Sequence, residues 1–182
     1  TMPPILSYSS DLVSYQGSVY ASHAATPLAL SKYDTSSGTV STLAPPSFFL
    51  AESSIAVHGD KLYVFGGWTG SSPSNHAHVY DIVLNTWQTL PNMPVSITQT
   101  SAVALGDNIY ITGGTLGVTV QHFIRYNVPS NSYSILASPS SYANSKLIHY
   151  NGSVYCFGGH RYNGNSMETS DLFQEYDTIS NT

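Results

Sequence analysis

Short apolar stretches alternate with small polar turns along the chain, and the pattern returns about every 47 residues. The segment LYVFGG at 62–67 recurs as IYITGG at 109–114 and as VYCFGG at 154–159. The first glycines of these segments are 47 and 45 residues apart. Self-similarity at a fixed period of about 40–50 residues is the signature of repeat architectures. The pattern therefore predicts a chain built from copies of one small unit.

Each unit is predicted to contain four short strands. Two apolar stretches flank a turn at Gly59, Gly106 or Gly152, and this arrangement predicts a β-hairpin, because glycine supplies the positive φ of a tight turn. A third strand ends in a tyrosine followed by a small polar turn. A fourth strand is visible at 86–91 and at 132–137. The units are thus predicted to be four-stranded antiparallel sheets.

A weaker copy of the unit precedes the other three. Gly17 lies 42 residues before Gly59, and VYASHA at 19–24 takes the place of the apolar strand with its two glycines. His23 and Ala24 stand where those glycines are expected. The chain is therefore divided into four repeats, which span approximately 1–45, 46–92, 93–138 and 139–182.

The recurring elements resemble the kelch repeat, in which an apolar run and a double glycine are followed by Tyr, six residues and Trp. The second repeat has all of these elements, the third has Tyr133 in place of Trp, and the first keeps Tyr33 but has Val40 in the Trp position. The resemblance implies an all-β, kelch-type β-propeller with one four-stranded blade per repeat. It also implies structural roles for Gly66, Gly67, Tyr80, Trp87, Gly113, Gly114, Tyr126, Gly158, Gly159 and Tyr176.

The fourth repeat ends before its own fourth strand would begin. Because kelch propellers usually have five to seven blades, we expect these four blades to be part of a larger propeller. In the alternative, four blades close on themselves, or two chains pair into a larger ring with an edge left open, and the open blade edge is a surface for self-association.

Charge and cysteine content narrow the classes of partner. Charged residues are 8% of the chain, against about 25% in an average soluble domain. With a net charge of −5, the chain has no basic patch for a phosphate backbone, so nucleic acid is not expected as a partner. No apolar run is long enough for a membrane span, so membrane insertion is not expected. A single cysteine favours the cytoplasm, with an extracellular location as the alternative.

Trp68, directly after a double glycine, is predicted to lie in a loop between the second and third strands of its blade. Such loops and the connections between blades open onto one face, and aromatic residues and Arg dominate binding hot spots. The other segments predicted to lie at this face are the loops at 69–78, 115–122 and 160–170 and the inter-blade segments at 45–52, 91–99 and 138–146. In the alternative, Trp68 packs over a neighbouring loop, and Phe48 and Phe49 pack between blades. The predicted binding residues are Trp68, His160, Arg161, Tyr162, Tyr142, Phe48 and Phe49.

The sequence contains no motif for catalysis. It has no phosphate-binding glycine loop, no H-E-x-x-H and no nucleophile elbow. His76 and His78 have the spacing of two metal ligands on a strand, but we interpret them as a solvated loop pair. Cys156 lies in a predicted inner strand and is interpreted as a small buried hydrophobe. No catalytic residue, cofactor or metal is predicted.

The resemblance implies a non-catalytic protein-binding module of the adaptor or scaffold type, with a protein partner of unknown identity. Two alternatives remain open. One is the propeller of a carbohydrate-acting or copper-dependent kelch-like enzyme, and the other is an architectural segment of an extracellular or surface protein. The fold by itself does not choose among them.

Overall fold

The described part of the chain consists of β-strands and the turns that join them. Its strands form antiparallel sheets that follow one another along the sequence, and no helix occurs among these residues. It therefore contains no helix that is long and apolar enough to cross a membrane. The structure is a computed structural model, and it describes residues 9–23, 29–47, 51–115, 118–137, 144–162, 166–171 and 173–180.

The strands fall into four sheets, which we call blades 1 to 4, and one additional hairpin. Blade 1 comprises β1 (Ser9–Tyr15), β2 (Ser18–His23), β3 (Ala29–Asp34) and β4 (Val40–Thr42). Blade 2 comprises β5 (Ser54–His58), β6 (Lys61–Phe65), β7 (Ala77–Asp81) and β8 (Thr86–Thr89). Blade 3 comprises β9 (Thr98–Leu105), β10 (Asn108–Thr115), β11 (Val118–Asn127) and β12 (Ser132–Leu136). Blade 4 comprises β13 (Lys146–Tyr150), β14 (Ser153–Phe157) and β17 (Phe173–Asp177), and the hairpin comprises β15 (His160–Tyr162) and β16 (Met167–Thr169).

Within each blade the strands pair antiparallel in chain order. Blades 1 to 3 have four strands, whereas blade 4 has three, in the order β13-β14-β17. The prediction that the fourth repeat lacks its outer strand is confirmed. The hairpin β15–β16 is inserted between β14 and β17, in a segment that the sequence predicted to be a loop.

The third strand of every blade ends in the same side-chain-capped turn. The Oδ1 atom of Asp81 accepts hydrogen bonds from the backbone N–H groups of Val83 and Leu84. A carboxylate or amide that bonds backbone N–H groups two or three residues ahead fixes a turn locally. The equivalent positions in the other blades are Asp34, Asn127 and Asp177. This capped turn is part of the repeat, and from the sequence alone it is recognisable only as a small polar turn.

Consecutive blades pack face to face. In each blade the first face carries the repeat tyrosine of the third strand, and the second face points toward the next blade along the chain. The second face of blade 2, with Tyr63 and Phe65, packs against the first face of blade 3, with Ile111 and Tyr126. Blades 1 and 2 share a similar core, as do blades 3 and 4. A sheet with two apolar faces cannot bury them alone, so each blade is stabilised by its neighbours.

The first strands of the blades surround a central cavity of about 580 Å³. Strand β1 packs beside β5, β5 beside β9, and β9 beside β13, whereas no comparable packing joins β13 to β1 in the described part of the chain. The architecture is therefore a four-blade β-propeller arrangement in which blades 1 and 4 are the end blades.

Candidate binding face

One end of the propeller collects two kinds of loop. The connections between second and third strands and the connections between blades emerge at this end, which we call the loop face. Around blade 2 the two kinds of loop are joined by backbone hydrogen bonds. Gly67 N–H donates to the Ile97 carbonyl at 2.8 Å, and Trp68 N–H donates to the Ala51 carbonyl at 2.6 Å. The loop after β6 is thus tied to the connections on both sides of blade 2.

The double glycine at Gly66 and Gly67 makes this close approach geometrically feasible. Both residues have positive φ, at 62° and 103°. A Cβ atom on Gly66 would lie 2.7 Å from the Ile97 carbonyl oxygen, and one on Gly67 would overlap the Ala51 carbonyl oxygen. Glycine is the one residue that tolerates both conditions. Gly66 and Gly67 thus combine a left-handed backbone conformation with a close approach of neighbouring backbone atoms.

Trp68 is held in place through its backbone. It forms isolated antiparallel bridges with Ala51 on one side and with Pro73 on the other. The following turn is closed by Thr69, whose N–H and hydroxyl both donate to the Ser72 carbonyl. The Trp68 residue is partly exposed on the loop face. The backbone of Trp68 is therefore fixed on both sides, and its side chain lies partly exposed at the loop face.

Polar groups of the inter-blade connections lie beside this loop. Thr98 donates a hydrogen bond to Oε2 of Glu52 at 2.7 Å, and the Thr100 N–H and hydroxyl both contact the Glu52 carbonyl at 3.3 Å. Glu52 and Gln99 both have positive φ, which is uncommon for residues with side chains. Both connecting segments are predicted from the sequence to lie at the loop face, but these residues are not predicted to contact each other. No spacing in the sequence indicates this contact, because Glu52 and Thr98 belong to two different connections between blades.

The other predicted binding residues belong to different blades. His160, Arg161 and Tyr162 form strand β15, which lies beside β11 of blade 3. The topology places this hairpin at the loop face, but on the other side of blade 3 from Trp68. Phe48, Phe49 and Tyr142 lie outside the described residues. The prediction of a continuous loop at 160–170 is wrong, because residues 160–162 and 167–169 pair as strands. The segment 115–122 is likewise mostly strand.

The interpretation of His76 and His78 as a solvated loop pair is wrong for His78. His76 is exposed, but His78 is a buried residue of β7, and the two ring centroids are 6.2 Å apart. Burial, with a smaller contribution from the charge of His76, lowers the pKa of His78 to about 4. His78 is therefore neutral at physiological pH. No cluster of three metal-ligating side chains occurs in the described part of the chain.

Cys156 lies on β14 with its side chain in the core between blades 3 and 4. Burial raises the pKa of its thiol, although a hydrogen bond with Ser145 acts in the opposite direction. The thiol is thus protonated at neutral pH and is a poor nucleophile. Its interpretation as a small buried hydrophobe is confirmed.

Fold and repeat together define the class of this protein as a β-propeller. The family model described as the Kelch motif matches residues 50–94, which contain the whole of blade 2. The chain therefore folds as a β-propeller whose second blade matches the Kelch motif. No curated protein matches the chain.

Proposed function

We propose that the chain is a non-catalytic module that binds a protein partner through its loop face. The kelch propeller fold supports an interaction module in general. The observation that carries the proposal is the fixed, partly exposed position of Trp68, which is bridged to Ala51 and Pro73. Aromatic residues held rigidly at a surface are the usual anchors of protein interfaces.

The low charge of the chain is consistent with this kind of partner. The loop around Trp68 is rich in hydroxyl groups, among them Thr69, Ser71 and Ser72, which contact one another. Hydroxyl and backbone groups around a central aromatic residue provide adaptable hydrogen bonding at a binding surface. The partner expected for such a surface presents a polar segment with an apolar side chain that packs against Trp68.

The proposal is tested by quantitative affinity capture with the wild-type chain and with the triple variant Trp68→Ala, Arg161→Ala, Tyr162→Ala. Val83→Ala is the matched control, because Val83 is 73% exposed on a turn at the opposite end of blade 2. Each reproducibly captured protein is then titrated against the purified variants. The expected result is a loss of affinity of at least about tenfold for the triple variant, with Val83→Ala unchanged. Equal affinities for the wild type and the triple variant would overturn the proposal.

A further inference from the structure

The cavity on the propeller axis has the size of a small-molecule site. It measures about 580 Å³ and is lined by the first strands of all four blades. Pockets that hold small ligands measure about 300–1,000 Å³. Leu12 of blade 1 and Ile148 of blade 4, which both line the cavity, are 46% and 47% exposed. Solvent therefore reaches the cavity, and a compact molecule can enter it without displacing a strand.

The lining of the cavity is charged at one end and mostly apolar beyond it. At the end nearer the loop face, one repeat position on the first strands is occupied by Asp11, Ser101 and Lys146. Ser14 and His149 are polar residues farther along the strands. The other lining residues are aliphatic, among them Leu12, Ala56, Ala102 and Ile148. A ligand that fits this cavity therefore has a polar end and an apolar body.

Two opposite charges face each other at the polar end. Asp11 belongs to blade 1 and Lys146 to blade 4, and the two side chains interact electrostatically. Among the described residues, however, Lys146 has no carboxylate in ion-pair contact. The ammonium and carboxylate groups thus attract each other across a gap. A group that carries one charge of each sign fits such a gap, because it compensates both side chains at once.

The Asp11 carboxylate is held in place by backbone donors from two blades. Its Oδ1 atom accepts a hydrogen bond from Leu12 N–H at 3.0 Å, and its Oδ2 atom accepts one from Ile55 N–H at 3.1 Å. A carboxylate has about four lone-pair positions, so each oxygen can accept one further bond. Burial raises the pKa of Asp11, whereas Ile55 N–H, the charge of Lys146 and Leu12 N–H act in the opposite direction. A cation bound beside Asp11 would stabilise its charged form further.

We propose that this cavity binds a free α-amino acid with an aliphatic side chain. The ammonium group of the ligand lies beside Asp11, its carboxylate lies beside Lys146, and its side chain packs against Leu12 and Ile148. A free amino acid is the fitting ligand because both charges are attached to the carbon atom that bears the apolar group. In a peptide segment these charges are replaced by neutral amides. The site is separate from the loop around Trp68 and does not depend on the proposed protein partner.

The first test is isothermal titration calorimetry of the purified chain with leucine at neutral pH. Saturable binding of one leucine per chain is expected. Three analogues each lack one part of the ligand: isoamylamine has no carboxylate, isocaproate has no ammonium group and glycine has no apolar side chain. Each analogue is expected to bind at least about tenfold more weakly than leucine. An absence of leucine binding at about 10 mM would contradict the proposal, as would equal affinities for leucine and any of the analogues.

The second test assigns the two charges of the ligand to the two side chains. Lys146→Met removes the ammonium group and keeps an unbranched side chain, and it is expected to weaken leucine at least about tenfold without weakening isoamylamine. Asp11→Asn keeps an acceptor for Ile55 N–H, and it is expected to weaken leucine similarly without weakening isocaproate. Lys32→Met is the matched control, because Lys32 lies on β3 and does not line the cavity.

Urea denaturation of each variant separates a loss of binding from a loss of folding. The comparison is made between variants that remain folded, and the three analogues test the wild type where a variant does not fold. Unchanged leucine affinity in folded Lys146→Met or in folded Asp11→Asn would overturn the proposal. An equal loss of leucine affinity in Lys32→Met would also overturn it, because the effect would then not be specific to the cavity.

Discussion

At Gly67 two separate constraints act on one residue. Its φ of 103° is rarely adopted by residues with a side chain, and a Cβ atom there would overlap the Ala51 carbonyl oxygen and lie 3.0 Å from Ser53 N. Gly113, the counterpart of Gly66 in the next repeat, lies within β10, and a Cβ atom there would lie 2.8 Å from the Thr100 methyl group. A motif that recurs in the sequence therefore meets different steric requirements in different blades.

Replacement of Gly67 by Ala is expected to lower the free energy of unfolding by more than about 3 kcal/mol, because strain and overlap with backbone atoms add. Gly59→Ala is the matched control, since Gly59 has a φ of 57° but nothing lies within 4 Å of a Cβ atom there. The Gly59→Ala substitution is expected to lower the free energy of unfolding by about 1 kcal/mol. Urea denaturation followed by circular dichroism measures both. If the two variants lost equal amounts of unfolding free energy, the close approach of backbone atoms at Gly67 would contribute nothing.

His78 gives the protein a pH dependence that can be assigned to one residue. Its folded pKa of about 4 lies below the ordinary value of 6.5, so the unfolded chain binds a proton more readily than the folded chain. Stability contributed by neutral His78 is fully present above about pH 6.5 and falls as the pH is lowered toward 4, by up to about 3 kcal/mol.

This effect is measured as the difference in unfolding free energy between the wild type and His78→Ile, from pH 7 to pH 4. Isoleucine is chosen because Ile124 occupies the equivalent position in blade 3. The His76→Gln variant is the control, since His76 is exposed. The difference between wild type and His78→Ile should change steadily below pH 6.5, and a constant difference would mean that His78 does not titrate as described.

At the scale of the element, the junction between blades depends on hydrogen bonds near the axis as well as on apolar packing. Ser101 of β9 accepts a bond from the Leu147 N–H of β13. Ser54 of β5 occupies the equivalent position, but its buried Oγ atom has no hydrogen-bond partner among the described residues. Equivalent serines in neighbouring strands are therefore expected to contribute differently to stability.

Ser101→Ala is expected to lower the free energy of unfolding by about 1–3 kcal/mol, because the buried Leu147 N–H would lose its acceptor. Ser54→Ala is expected to change it by less than about 0.5 kcal/mol, because no bond is lost. Chemical denaturation of the two variants side by side makes the comparison. A loss for Ser54→Ala as large as that for Ser101→Ala would refute the difference inferred between the two junctions.

At the scale of the whole molecule, the blades differ in how completely their strands are paired. Strand β7 of blade 2 is bonded on both sides, by β6 and β8, whereas among the residues that the structure describes β17 of blade 4 is bonded on one side, by β14. Local opening of a strand requires less free energy where fewer hydrogen bonds to neighbouring strands must be broken. The structure thus predicts a gradient of stability that falls toward blade 4.

Hydrogen exchange followed by mass spectrometry tests this gradient. Peptides that cover Phe173–Asp177 are expected to exchange faster than peptides that cover Ala77–Asp81, by about tenfold or more. Strand β11, which is paired by β10 and β12, provides a second reference. Equal protection of all three strands would show that the free edge of blade 4 does not weaken it.

Much of this architecture is predictable from the sequence because it is periodic. The hairpin turns, the positions of Tyr80 and Tyr126 and the missing outer strand of blade 4 follow from residues that recur at one spacing. The candidate site is less predictable. The contact of Glu52 with Thr98 joins two connections 46 residues apart, and the burial of His78 depends on a neighbouring blade. A periodic pattern shows only the residues that the repeats have in common. The Glu52–Thr98 contact and the burial of His78 depend on residues that differ between repeats.

The tyrosines at each junction have an evolutionary consequence. Because each repeat carries one tyrosine on the face toward the blade before it and one on the face toward the blade after it, a repeat placed beside a new neighbour would still bring a tyrosine to each side of its junctions. Tandem duplication or loss of a repeat-length segment of the gene would then keep this pair at every remaining junction. The chain would change its number of blades more readily than it would change the contact between them.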